Sequence, residues 1–131
     1  MTDRRRTFSG SPFEGTIGFC RAIRIGDRVL VSGTAPIWPD GSCPDDAQAQ
    51  AARCLEIIAS ALERAGAVTS DVVRTRMLLT DAADAEAVGR AHAAVFGASP
   101  PAATMMVVAA LLDPRWKVEI EAEAVVDSSR T

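Results

Sequence analysis

The sequence predicts an α+β domain, a mixed sheet of roughly six strands with two helices packed on one face. Three observations carry that reading. Two short apolar runs flank Gly26-Asp27, which is a hairpin signal. An apolar stripe at 4-3-4-3 spacing runs from Ala51 to Ala65, which is a helix signal. The last third holds two strand-like runs, one apolar on both faces and one in which Glu119, Glu121 and Glu123 alternate with apolar residues.

Taken in order, the chain begins with Arg4-Arg5-Arg6, and no apolar stretch of the kind an export signal carries follows over 7–18. Residues 1–14 are therefore expected to be a flexible, solvated N-terminus, with one domain over 15–127 and a tail at 128–131. Residues 18–25 alternate loosely, Gly26-Asp27 makes a turn, and Arg28-Val-Leu-Val-Ser-Gly33 forms the second strand of the hairpin. Pro36, Pro39, Gly41 and Pro44 then break regularity. Asp45 and Gln48 stand at capping-box spacing ahead of the first helix. Its stripe is Ala51, Leu55, Ile58, Leu62 and Ala65, and Gly66 sits where a left-handed cap would end it.

The next strand, 71–80, places Val73, Thr75, Met77 and Leu79 on one face and Arg74, Arg76 and Leu78 on the other. Asp81 or Asp84 starts a second helix that turns Val88, Ala91, Val95 and Phe96 inward and is followed by Gly97. Strands over 104–109 and 117–126 complete the sheet. Two helices cover only one face of it. Because residues 104–112 are apolar on both alternating faces, that strand needs burial on both sides, and a neighbouring subunit is the economical cover.

Composition narrows the function. A chain of 131 residues supports a single core. A net charge of −3 and the absence of tyrosine argue against nucleic acid, and no apolar run approaches the roughly 20 residues of a membrane span. Cys20, Cys43 and Cys54 are odd in number and lack C-x-x-C spacing, which points to a reducing cytoplasm and to neither disulfides nor zinc. His92 is the only histidine, so a soft metal site is not expected. Its place at the edge of the second helix's apolar stripe suits a hydrogen-bonded core histidine better than a general base.

In combination the motifs resemble the Rid/YjgF (reactive intermediate deaminase) family. The resemblance rests on Gly18-Phe19 with Val31-Ser32-Gly33-Thr34, on Asp71-Val-Val-Arg-Thr-Arg-Met-Leu-Leu-Thr-Asp81, on the run from Pro101, and on Val118-Glu-Ile-Glu-Ala122. It spans about 15–126. It implies a chorismate-mutase-like fold, a homotrimer, and clefts between subunits in which imines or enamines are hydrolysed to a keto acid and ammonia. It implies no metal and no organic cofactor. In deaminating members an arginine binds the substrate carboxylate through a bidentate fork, and a carboxylate positions the attacking water.

Carried across by position, the arginine falls at Ala103, a cleft asparagine at Gly89 and an aromatic hydroxyl at Phe19, while Ser32, Gly33 and the carboxylate, matched to Glu121, are kept. The resemblance thus implies an interface cleft lined by Phe19, Arg21, Ser32, Gly33, Ala103 and Thr104. Glu121 would orient water there, for a carbonyl, imine or enamine lacking the usual carboxylate anchor. Arg21, on the strand face of Phe19, is the substitute anion binder; a solvated strand-face arginine is its plainer role. For Glu119, Glu121 and Glu123 the plainer role is an ion-pair ladder with Arg74 and Arg76. Loss of cleft polar groups with intact strand and helix patterning equally suits a non-catalytic sensor, accessory or chaperone-like protein.

Overall fold

A computed structural model describes residues 3–129. A six-stranded sheet is formed by β1 (Arg4–Thr7), β2 (Ala22–Ile25), β3 (Arg28–Thr34), β4 (Val72–Leu79), β5 (Ala102–Val107) and β6 (Val118–Val125), in the spatial order β1-β2-β3-β6-β4-β5. Helices α1 (Ala47–Arg64) and α2 (Ala85–Phe96) pack against each other, and α1 lies on β3 and β6. Every pairing is antiparallel except β4 with β5. That pair is parallel because α2 forms the crossover between the two strands.

Local chemistry explains the boundaries. Ile25 faces Arg28 across a two-residue turn, with Gly26 at φ 62° as the first central residue. Only a residue without a Cβ takes that conformation freely. Asp46, one residue after the expected cap Asp45, begins α1 by accepting from the Gln48 N–H at 3.3 Å. Asp45 instead pairs with Lys117 at 3.3 Å. α1 ends as its sequence predicts. Gly66 at φ 81° lets its own N–H reach the Glu63 carbonyl and the Ala67 N–H reach that of Leu62. The whole predicted stripe of α1 is buried.

Three expectations change. Arg4–Thr7 is the sixth strand, where a frayed arm was expected, because it finds β2 as an antiparallel partner. Val73 is exposed and Val72 buried, because an irregularity between Val72 and Arg74 shifts the register against β6. Val95 lies on the outer side of α2, leaving Val88, Ala91 and Phe96 to face the core. β5, whose second face the sequence assigns to a neighbouring subunit, is not covered within the single chain. It is an edge strand, and Met106, Val107 and, beyond the strand, Leu112 are exposed.

Buried polar residues fix the loops that shape the site. Gln50 is wholly buried and uses both ends of its amide. Nε2 donates to the carbonyls of Pro44 (2.8 Å) and Arg115 (3.0 Å), and Oε1 accepts from the Lys117 N–H at 2.7 Å. The segments before α1 and before β6 are thereby held together. Among the described residues no helix is long and apolar enough to cross a membrane.

Candidate functional site

A cleft of about 420 Å³ opens on the sheet face opposite the helices, where β3 and β6 meet the segment before β2. That segment contains one π-helical turn, Glu14–Gly18, whose last carbonyl bond is made by the Phe19 N–H to Glu14 at 3.0 Å. The turn swings Phe13, Ile17 and Phe19 over the sheet, and Phe13 meets Trp116 edge-on at 5.9 Å between ring centroids. The walls are apolar. Arg21, Ser32, Gly33 and Glu119 supply the polar groups, which is the usual constitution of a small-molecule site.

Four of the sequence-predicted residues, Phe19, Arg21, Ser32 and Gly33, come together in this cleft. Ser32 donates to the Cys20 carbonyl at 2.7 Å, which fixes its hydroxyl. Arg21 is buried rather than solvated, and its Nε and Nη1 are both engaged. Its Nε pairs with Glu14 at 3.2 Å, and its Nη1 donates to the Gly33 carbonyl (2.8 Å) and to Thr34 Oγ1 (3.0 Å). Its guanidinium also lies 5.3 Å from the Phe19 ring centre. The charge that could have received an anion is already neutralised.

Ala103 and Thr104 lie on β5, two strands beyond β6, so roughly 14 Å of sheet separates them from β3. Ala103 is in register with Thr75, which accepts or donates at 2.8 Å to His92 Nε2 on α2. Thr104 Oγ1 accepts from Arg74 at 3.0 Å. Within one chain neither residue reaches the cleft.

The carboxylate in the cleft is Glu119. Glu121 leans the other way, toward β4, and pairs with Arg76 at 2.9 Å, one rung of the expected ladder. Arg74, in register with Glu123, turns to Thr104 instead, and among the described residues its buried Nε has no partner. Glu119 leans toward β3, so near to Gly33 that a Cβ there would stand 3.0 Å from its Oε1. Burial holds the Glu119 carboxyl above its ordinary value, against the opposing pull of Arg21 and with a further push from Glu121. Strand alternation puts both glutamates on one face, and only the lean of each side chain distinguishes them. Among the described residues no group of histidine, cysteine or carboxylate side chains is arranged to hold a metal.

His92 is half-buried against Phe96, and burial pushes it below its ordinary value. The folded state therefore resists the proton that the unfolded chain accepts. Stability from this group is complete above about pH 6.5 and falls as the pH drops through the folded value. Glu119, raised when folded, acts with the opposite sign at lower pH. Replacing His92 with Gln is expected to flatten the loss of stability between neutral and mildly acid pH. Urea midpoints of both proteins across that range measure it.

The chain matches a family model described as endoribonuclease L-PSP over residues 11–126. The Streptomyces coelicolor protein SCO2049, itself uncharacterised, is 38% identical over 121 residues, 92% of this chain and 90% of that protein. A Salmonella typhimurium 2-iminobutanoate/2-iminopropanoate deaminase is 34% identical over 112 residues, 82% of this chain and 86% of the enzyme. The crystal structure of Mycobacterium tuberculosis Rv2704, of the YjgF/YER057c/UK114 family, superposes with a TM-score of 0.87 at 44% identity, covering 95% of this chain and 100% of that one.

Proposed function

Since the chain belongs to the Rid/YjgF family, we propose that it binds a small carbonyl, imine or enamine metabolite without a carboxylate in the Glu119 cleft, and hydrolyses the imine or enamine there. A homotrimer would complete that cleft with β5 of a neighbouring copy. The exposed apolar residues Met106 and Val107 support such a cover. The observation that carries the substrate class is the state of the cleft's charges. Glu119 has no ion-pair partner among the described residues, whereas Arg21 is neutralised by Glu14 and position 103 is alanine. Such a cleft favours a neutral or protonated C=N group over a carboxylate.

The chemistry follows from that placement. Glu119 accepts a proton from water as the oxygen adds to the C=N carbon, and its charge opposes the positive charge on an iminium nitrogen. Glu119 returns that proton to the carbinolamine nitrogen, the C–N bond breaks to release ammonia, and loss of the hydroxyl proton leaves a carbonyl. The Salmonella relative's name denotes substrates that carry a carboxylate. This chain would perform the same bond changes on a substrate without one. A second reading, ligand binding without turnover, draws support from Phe19, Gly89 and Ala103, none of which brings a polar side-chain atom.

The test is decay of freshly generated 2-iminopropanamide, a neutral imine, followed against buffer alone. Wild type is expected to accelerate it. Glu119→Gln should lose about 10²- to 10⁴-fold of that acceleration, as for a missing general base. Glu121→Gln should retain it. An equal loss in Glu121→Gln, with Glu119→Gln unaffected, would move the base to Glu121. Saturable binding without acceleration would establish the second reading.

A further inference from the structure

A second cavity, of about 310 Å³, lies on the other side of the Arg21 side chain, between residues 9–12, the segment after β3 and helix α1. Arg21 is the shared wall. Its Nη1 bonds to Gly33, which lines the first cleft, and to Thr34, which lines the second cavity. Here the charge balance is reversed. Arg53 projects from α1, and its Nε is anchored on the Ile37 carbonyl at 2.7 Å, which fixes the plane of its guanidinium. None of the ion pairs among the described residues involves Arg53. Arg53 and Arg21 also line the adjoining hollow, together with Glu56 and Arg64, whose charges offset one another formally. Arg21 adds no net charge, because Glu14 neutralises it.

We infer that this cavity is a separate binding site for a small carboxylic acid with a flat apolar body. The Nη edge of Arg53 is the fork a carboxylate fits, and anchoring through Nε leaves that edge free. Trp38, Ile37 and Pro39 provide the apolar wall, and Ser11, whose Oγ accepts from the Phe13 N–H, keeps its hydroxyl hydrogen to donate at the rim. The volume suits a single ring with a short acidic arm. A fixed arginine without a counter-ion beside an indole is a receptor already arranged, so little ordering is needed on binding. The anion-binding capacity absent from the Glu119 cleft is present here.

The probe is phenylacetate, titrated into the full chain and compared with its neutral counterpart phenylacetamide. The indole N–H resonances of Trp38 and Trp116, assigned with Trp38→Phe, report which cavity fills. The Trp38 signal is expected to shift saturably at millimolar phenylacetate, with phenylacetamide roughly 10- to 100-fold weaker, the value of one charged bidentate contact. Arg53→Gln, with its spectrum otherwise intact, should abolish the preference for the acid. Three results would overturn the inference: a shift at Trp116 with Trp38 silent, equal affinity of acid and amide for wild type, or a preference for the acid that survives in Arg53→Gln.

Discussion

Ala103→Arg is expected to make this chain hydrolyse 2-iminopropionate at least about 10- to 100-fold faster than wild type in kcat/KM, the worth of one charge-assisted carboxylate contact. Among the described residues the wild-type cleft offers that substrate no cation without a counter-ion, since Arg21 pairs with Glu14 and donates to Gly33 and Thr34. Position 103 is exposed on an edge strand, so a long side chain fits there without overpacking the core. In the proposed homotrimer it would project across the subunit boundary, where the Glu119 carboxylate waits with its value raised by burial. Single-turnover decay of freshly made 2-iminopropionate at equal protein concentration reads the effect. Wild-type decay already equal to that of Ala103→Arg would mean that an anion anchor exists in the cleft, and the neutral-substrate proposal would fall with it. A silent variant whose 2-iminopropanamide activity is intact would mean that β5 does not complete the Glu119 cleft.

What could be foreseen in the chain, and what could not, divides along the range of the interactions concerned. The α1 stripe, its Gly66 terminus and the Gly26 turn depend on neighbours within a few residues, so spacing alone exposes them. The strand that carries Ala103 was equally plain, because it stands inside a run whose motif is local. The choice between Glu119 and Glu121 was not local. Both side chains share a face by alternation, and each is directed by the strand it leans toward, Gly33 on one side and Arg76 on the other. An irregularity in pairing between Val31 and Thr34 intervenes, and sequence periodicity does not register it. The partner of Arg21 was the least visible of all. Glu14 precedes it by seven residues, in a π-helical turn that no hydrophobic pattern announces. β1 escaped for a similar reason. Three arginines read as a solvated arm until β2 is known to present an edge beside them.

The pair that was hidden in the sequence should have the largest effect on stability. Glu14 and Arg21 side chains are 4% and 6% exposed, so each charge depends on the other. Ser9 adds a backbone N–H to Glu14 Oε1 at 3.0 Å and a hydroxyl to Oε2, which ties the whole stretch from Ser9 to Arg21 to one carboxylate. Glu14→Gln strands a buried guanidinium and is expected to cost about 3–5 kcal/mol in urea denaturation at fixed protein concentration. Arg21→Met is expected to cost less, because Ser9 still solvates the remaining carboxylate. The double variant Glu14→Leu/Arg21→Met removes both charges, and its cost should fall short of the summed single costs (Glu14→Leu with Arg21→Met) by about 1–3 kcal/mol. Additivity to within about 0.5 kcal/mol would show the pair to be energetically uncoupled. The Phe13–Trp116 contact would then be what holds the segment over the cleft. Strong coupling would instead make the ion pair the hinge pin of both cavities, because Arg21 lines each of them and Glu14 is its ion-pair partner.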